Sequence, residues 1–112
     1  MGQPVVWFEV LGSDGARSQR FYSELFGWRP RPAEGAPDYG LVDGPLPGGV
    51  GQAQGAPHVT FYVGVADAAA TLARAEASGG AVLAPPRRLP DGDTIALLRD
   101  PDGLTVGLFQ KG

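Results

Sequence analysis

Glu9 is the side chain in this chain that most needs a chemical explanation. It lies within the apolar run of residues 5–10, VVWFEV, where a carboxylate removed from water is costly unless it is paired or hydrogen-bonded. Such a group can act as a general base, or can anchor a cationic or hydroxyl-bearing ligand. It can also form a structural bridge to an arginine such as Arg99 or to Tyr62. The sequence leaves both interpretations open and makes Glu9 the candidate catalytic residue.

Few other residues of this chain could carry chemistry. His58 is the only histidine, and it can serve either as a ligand or as a structural hydrogen-bonding group. Trp7 and Tyr62 could stack on a flat ligand, although core packing explains them equally well. The chain has no cysteine, which excludes disulfides, a thiolate nucleophile and a thiolate metal site. No phosphate-binding loop or Ser-His-Asp arrangement is recognisable.

The element that must position Glu9 is a strand followed by a helix. Val6, Phe8 and Val10 alternate as an apolar face, so Trp7 and Glu9 point to the opposite face. Ser13 and Asp14 predict a helix start, and the spacing predicts a helix over 14–26 that ends at Gly27. The residues predicted to face the sheet are Ser18, Phe21, Tyr22, Leu25 and Phe26.

The same plan returns 53 positions later, where Asp67 corresponds to Asp14. Further strands are predicted over 81–84, 94–99 and 104–109, with a loop over 85–93 and a tight turn over 100–103. In the first half, which is rich in proline and glycine, short strands are predicted over 39–42 and 50–53. The sequence therefore predicts two tandem βαβββ modules, an α+β fold. Alternation places these further residues on the presumed pocket face: His58, Thr60, Tyr62, Thr105, Gly107 and Phe109.

The phrases FYSELFGW at 21–28 and RDPDG at 99–103, within two tandem modules, resemble the vicinal oxygen chelate superfamily. That superfamily includes glyoxalases, bleomycin-resistance proteins and extradiol dioxygenases. The resemblance implies one domain over 1–112, with modules over about 4–56 and 57–110. It also implies a cupped eight-stranded mixed sheet, a ligand cavity between the modules and a homodimer.

The resemblance also indicates where the metal ligands of the metal-dependent members would fall. Three positions are Trp7, Thr60 and Gly107, and the fourth lies within 51–54. Indole and glycine offer no side-chain ligand, and a neutral hydroxyl is a poor one. We therefore expect no metal and no other cofactor.

Composition and the resemblance together indicate a metal-free protein that binds a small molecule. The expected ligand-binding residues are Trp7, Glu9, His58, Thr60, Tyr62 and Phe109. Two alternatives stay open: an enzyme (lyase, isomerase or dioxygenase) that uses Glu9 as a base or a displaced metal site, and an accessory interaction domain. The net charge of −3 and the scattered arginines argue against nucleic acid. Without a long apolar segment or a signal peptide, the sequence predicts no membrane partner and a cytoplasmic location.

Overall fold

The computed structural model describes residues 2–112, which divide into two compact units: residues 7–60, and residues 2–6 together with 61–112. The strands are β1 (Val5–Gly12), β2 (Arg31–Ala33), β3 (Ala36–Val42), β4 (Gly48–Gln52), β5 (His58–Gly64), β6 (Ala81–Arg88), β7 (Thr94–Arg99) and β8 (Thr105–Gln110), and the helices are α1 (Gly15–Phe26) and α2 (Ala68–Ala77). The element order is βαβββ twice over, with parallel and antiparallel strand pairs. The predicted α+β class is confirmed.

In the unit of residues 7–60, the strand order is β2-β3-β4-β1. Strand β1 pairs parallel with β4, and Glu9 lies opposite Gly49. Strand β3 pairs antiparallel with β4, and Tyr39 lies opposite Gly51. At the edge, Arg31 of β2 and Asp43 form an exposed ion pair of 3.0 Å. The hydrogen bond and then the charge of Arg31 lower the pKa of Asp43 from its usual value.

Helix α1 begins and ends as its sequence predicts. The Asp14 carboxylate accepts a hydrogen bond from the backbone N–H of Arg17 at 3.1 Å, and Gly27 ends the helix with a φ of 73°. The predicted buried stripe is wrong in part, because Phe21, Leu25 and Phe26 are each more than half exposed, at 55%, 58% and 57%. The helix instead turns Gly15, its one buried residue, toward the backbone of β4.

In the other unit, the strand order is β5-β8-β7-β6, and α2 covers one face. Asp67 caps α2 by accepting a hydrogen bond from the N–H of Ala70 at 3.0 Å. The core beneath the helix contains Val65, Ala68, Leu72, Ala96 and Leu108, with Val63 and Leu98 packed against it. Along β5, Val59 and Phe61 are exposed, whereas Thr60 and Tyr62 are buried.

Both helices are also fixed by a glutamine from the last strand of their own module. The Gln52 side chain at the end of β4 accepts a hydrogen bond from the N–H of Gly15 at 2.9 Å. The Gln110 side chain at the end of β8 accepts one from the N–H of Ala68 at 2.8 Å. Each first-turn N–H, which has no acceptor within its own helix, is thereby satisfied. The repeat therefore extends to the contact between each helix and its sheet.

The predicted boundaries fail where prolines occur. Strand β6 runs on to Arg88, through Pro85 and Pro86, where a loop was expected. An edge strand tolerates prolines because one side of it needs no ladder hydrogen bonds, and β6 is at the edge of its strand order. The sequence predicts a return strand that begins at Trp28, whereas β2 begins at Arg31. Strands β3 and β4 begin three and two residues earlier than expected.

Candidate functional site

Trp7 and Glu9 lie on one face of β1, and Phe8 lies on the other. The Phe8 ring packs against Trp28, with ring centroids 5.3 Å apart, on the side where Tyr22 of α1 also contacts Trp28. Trp7 and Glu9 both reach the hydroxyl of Tyr39 instead. The strand register predicted for residues 5–10 is therefore confirmed in this unit.

Tyr39 joins two of the predicted site residues, Trp7 and Glu9. The indole N–H of Trp7 donates to the Tyr39 hydroxyl at 2.9 Å, and that hydroxyl lies 2.8 Å from Oε2 of Glu9. Because an indole can only donate, its hydrogen bond occupies an acceptor position of the Tyr39 oxygen. The phenolic hydrogen then points at the carboxylate, so the direction of both bonds is fixed. The result is a half-buried carboxylate that accepts an oriented hydrogen bond from Tyr39.

Glycines in β4 let Tyr39 reach across the sheet to Glu9. Tyr39 lies on β3 and Glu9 on β1, with β4 between them. The Tyr39 ring lies over Gly49, where a Cβ atom would overlap the phenol. A Cβ at Gly51 would collide with the backbone of Asp38 and Tyr39. The glycine-rich stretch that ends at residue 51 therefore serves close packing of this network.

Tyr39 is the residue of this candidate site that the sequence did not point to. It was assigned only to a short strand, and the pocket face was derived from the first strand of each module and the last strand of the second module. The signal was present, because alternation along β3 places Tyr39 and Leu41 on one face, and both lie opposite glycines of β4. This pairing of bulky residues with glycines can be recognised only once β3 and β4 are known to be neighbours.

Two other predicted site residues of this unit lie elsewhere in the local structure. His58 is exposed, and its Nδ1 lies 3.0 Å from the carbonyl oxygen of Ala56. Since a carbonyl only accepts, Nδ1 carries the proton in this contact. Thr60 is buried, with 4% of its surface exposed. Tyr39 thus binds Trp7 and Glu9, whereas the His58 ring contacts its own loop.

In the other unit, Tyr62 occupies the space above Gly107. The two residues are paired across β5 and β8, and a Cβ at Gly107 would overlap the Tyr62 ring. Tyr62 is 7% exposed, and Phe109, the other predicted ligand-binding residue here, is half-buried. The neighbouring pair, Phe109 and Ile95, continues this face onto β7. The face is largely apolar.

Two surface clefts can be located relative to these residues. One, of about 440 Å³, lies along α1 beside Pro30, and no predicted site residue lines it. The other, of about 380 Å³, lies between β6 and β7 in the other unit, where Ile95 and Leu97 line it. The second cleft is therefore next to the pair of Phe109 and Ile95. The first cleft is a groove on the surface of α1.

The residues at the superfamily's metal positions do not fit a metal. The Trp7 nitrogen is a donor and is already bonded to Tyr39, and the space at Gly107 is filled by the Tyr62 ring. Within residues 2–112, no group of three His, Cys, Asp or Glu side chains is arranged to hold an ion. A site normally needs at least three such ligands.

Comparisons with known sequences identify the family of this chain. A sequence model of the Glyoxalase/Bleomycin resistance protein/Dioxygenase superfamily matches residues 5–108. A Mycobacterium tuberculosis protein named "Putative glyoxylase CFP32" is 26% identical over 126 aligned positions, which cover 93% of this chain and 44% of that protein. The anthracycline biosynthesis protein DauV of Streptomyces sp. strain C5 is 31% identical, over 95% of this chain and 46% of its own length. The chain thus spans less than half the length of these relatives.

Solved structures share the fold at low sequence identity. The Streptomyces coelicolor methylmalonyl-CoA epimerase S115T variant, in complex with 2-nitronate-propionyl-CoA, aligns with a TM-score of 0.62 and 17% identity over 98% of this chain and 95% of that one. A superfamily member from Vibrio splendidus 12B01 aligns with a TM-score of 0.69 and 16% identity over 99% and 100%. Together with the match over residues 5–108, the two βαβββ modules show that this chain belongs to the Glyoxalase/Bleomycin resistance protein/Dioxygenase superfamily.

Proposed function

We propose that this chain binds a small molecule at the face formed by Trp7, Glu9 and Tyr39, without a metal. The observation that carries the proposal is the Tyr39 hydroxyl, which contacts both the Trp7 indole and the Glu9 carboxylate. A hydrogen bond from a phenol stabilises the ionised form of a carboxylate. A fixed, half-buried anion beside an indole is suited to a ligand that carries an amine cation or a hydroxyl and a flat ring.

The ligand class is supported by the family and by one relative. The superfamily's description includes bleomycin resistance, and DauV is named for anthracycline biosynthesis. An anthracycline combines a flat aromatic body with an amino sugar, which matches the chemistry of an indole beside a carboxylate. This makes an anthracycline the first probe to use.

Isothermal titration with doxorubicin tests the proposal, with N-acetyl-doxorubicin as the matched neutral ligand. The cationic form should bind more tightly, and Glu9→Gln should lower its affinity to that of the neutral form. Glu76→Gln on the exposed surface of α2 removes one carboxylate elsewhere and should leave both affinities unchanged. The proposal fails if doxorubicin shows no saturable binding, or if Glu9→Gln binds it as tightly as the unmodified protein.

The alternative is an enzyme in which Glu9 removes a proton from carbon. The oriented contact with Tyr39 favours it, because a general base needs a fixed position. The fold shared with methylmalonyl-CoA epimerase suggests methylmalonyl-CoA as the test substrate. In D₂O, incorporation of deuterium at its α-carbon that is lost in Glu9→Gln would support catalysis; no incorporation would leave ligand binding as the function.

The absence of a resident metal is part of the same proposal. It is supported by the donor-only indole at Trp7 and by the ring above Gly107. Elemental analysis of untagged protein should find transition metals at well below one atom per chain. A near-stoichiometric metal would contradict it.

We further propose a homodimer that forms through α1. Phe21 and Leu25 are one turn apart and exposed on this helix, and Phe26 extends the apolar surface. An exposed apolar patch of this kind is typical of an interaction surface. Beside it lie Arg20 and Glu24, also one turn apart. In a twofold pair of antiparallel helices, Arg20 of each copy comes opposite Glu24 of the second copy, so the surface is complementary to itself.

Two further parts of the proposal concern partners and location. No helix among the described residues is long and apolar enough to cross a membrane. The exclusion of nucleic acid and the cytoplasmic location, which the sequence predicts, are proposals that a filter-binding assay and cell fractionation would test.

A further inference from the structure

The face of the sheet opposite α2 forms two rows of paired residues in the unit that contains β6, β7 and β8. One row runs Tyr62, Gly107, Leu97 and Ala84, and the other runs Phe109, Ile95 and Arg87. Residues paired across neighbouring strands project from the same face. Ala96, between Ile95 and Leu97, is in the core under α2, so both rows lie on the opposite side.

A bulge in β6 opens a cleft at the end of these rows. Ala84 pairs with Leu97 and Arg87 with Ile95, so three steps along β6 match two steps along β7. The extra residue comes from Pro85 and Pro86, which have no N–H to donate to the ladder. A bulge of this type bends the strand that contains it. The cleft beside it has a volume of about 380 Å³.

The lining of the cleft is apolar except for one cation. Pro85, Pro86, Ile95 and Leu97 contribute aliphatic surface, and Arg87 lies at the end of the Phe109 row. The volume falls within the range of about 300–1,000 Å³ that holds small organic ligands. A guanidinium at the rim of an apolar surface is suited to an anionic group through charge-assisted hydrogen bonds.

We infer that this cleft binds an amphipathic anion, a molecule with an apolar body and one carboxylate, sulfonate or phosphate. The apolar body lies on Ile95 and Leu97, and the anionic group lies against Arg87. The protein's net charge of −3 means that general attraction to anions does not explain such binding. The site is separate in residues and in ligand charge from the Glu9 face proposed above.

Two fluorescent probes that differ by one anionic group test the inference. Anilinonaphthalene sulfonate carries the sulfonate, and N-phenyl-1-naphthylamine has the same ring system without it. We expect saturable binding of the sulfonate probe at one site per chain. Arg87→Gln should weaken it about fivefold, as for one partly exposed charge contact, and should leave the neutral probe unchanged.

Three variants keep the result interpretable. Arg88→Gln removes the same charge from the next residue of β6, which pairs with Thr94 on the opposite face, and should bind like the unmodified protein. Leu97→Phe fills the cleft and should weaken both probes. Glu9→Gln should have no effect, which separates this site from the proposed function. Circular dichroism confirms that each variant is folded, since anilinonaphthalene sulfonate also binds partly unfolded chains.

The inference is overturned if Arg87→Gln and Arg88→Gln change the affinity equally, or if Leu97→Phe leaves both probes bound as before.

Discussion

The Glu9 carboxylate is held by a phenol, whereas an arginine was one of the partners considered from the sequence. The difference matters for chemistry, because a phenol is a neutral hydrogen-bond donor, whereas a guanidinium carries a positive charge. Tyr39 acts on any ligand through Glu9, so it is a positioning residue.

Tyr39→Phe should destabilise the protein and should also impair Glu9. The change removes the acceptor for the Trp7 N–H and the donor to Glu9 while it keeps the ring over Gly49. Leaving such half-buried groups without their partner should cost about 1–2 kcal/mol in the free energy of unfolding. Urea unfolding measures it, and Tyr22→Phe, in a ring cluster of the same unit, is the control, with an expected change within about 0.5 kcal/mol.

If Tyr39→Phe and Tyr22→Phe lower the free energy of unfolding equally, the Tyr39 hydroxyl contributes no more to stability than the Tyr22 hydroxyl. If the Tyr39 variant also binds doxorubicin as tightly as the unmodified protein, Tyr39 does not position Glu9.

Only part of the arrangement of Trp7, Glu9 and Tyr39 could be predicted from the sequence. The orientation of Trp7 and Glu9 follows from alternation in a short strand, which needs no tertiary information. The link through Tyr39 depends on which strands are neighbours, and β4 places two glycines between β1 and β3. Neighbouring strands are set by long-range pairing, which a local pattern does not encode.

At the level of elements, each helix begins at an aspartate cap and is joined to its sheet by a glutamine at the end of a strand. The caps at Asp14 and Asp67 were predictable because they act within a few residues. The bonds from Gln52 and Gln110 join residues 37 and 42 positions apart, and they appear only once the modules are folded. The local sequence thus predicts where each helix begins, whereas the contact between each helix and its sheet is seen only in the folded structure.

Gln52→Ala and Gln110→Ala should each cost about 1 kcal/mol, the usual effect of losing a side-chain cap. Each leaves the first-turn N–H of its helix without its acceptor, at Gly15 or Ala68. Thermal unfolding measures the loss, and Gln54→Ala, at an exposed position just after β4, should be neutral. Equal melting temperatures for all three variants would mean that water replaces the glutamines without cost.

The failed boundary in the second module has a physical cause. Residues 85–88 include two prolines, which suggested a loop, yet they belong to the edge strand β6. A proline is excluded from a central strand because it lacks a donor, but an edge strand has one side that needs none. Whether a strand lies at an edge is a property of the whole sheet, so the sequence near the proline does not decide it.

At the scale of the whole molecule, the proposed α1 interface makes a prediction about charge. Arg20→Glu places two like-charged contacts in a twofold interface, and Glu24→Arg does the same with the opposite sign. Each variant should raise the dimer dissociation constant about three- to tenfold, since each exposed contact contributes less than about 1 kcal/mol. Analytical ultracentrifugation over a concentration series measures it.

The double variant Arg20→Glu/Glu24→Arg restores opposite charges and should restore the dimer. As a matched control, the variant pair Arg74→Glu and Glu76→Arg reverses charges on α2 and should leave association unchanged. A monomer at all concentrations for the unmodified chain would refute the dimer, and a double variant as weak as either single one would refute this interface.

The ring of Tyr62 above Gly107 also constrains how the chain can change through evolution. A glutamate at position 107 would restore one of the superfamily's ligands, but its Cβ would overlap that ring. Losing the ring first would open a cavity at a residue that is now 93% enclosed, since 7% of it is exposed. Neither single step is neutral, so the two must change together. If the chain holds no metal, as proposed, a glutamate ligand at position 107 would therefore require paired substitutions at positions 62 and 107.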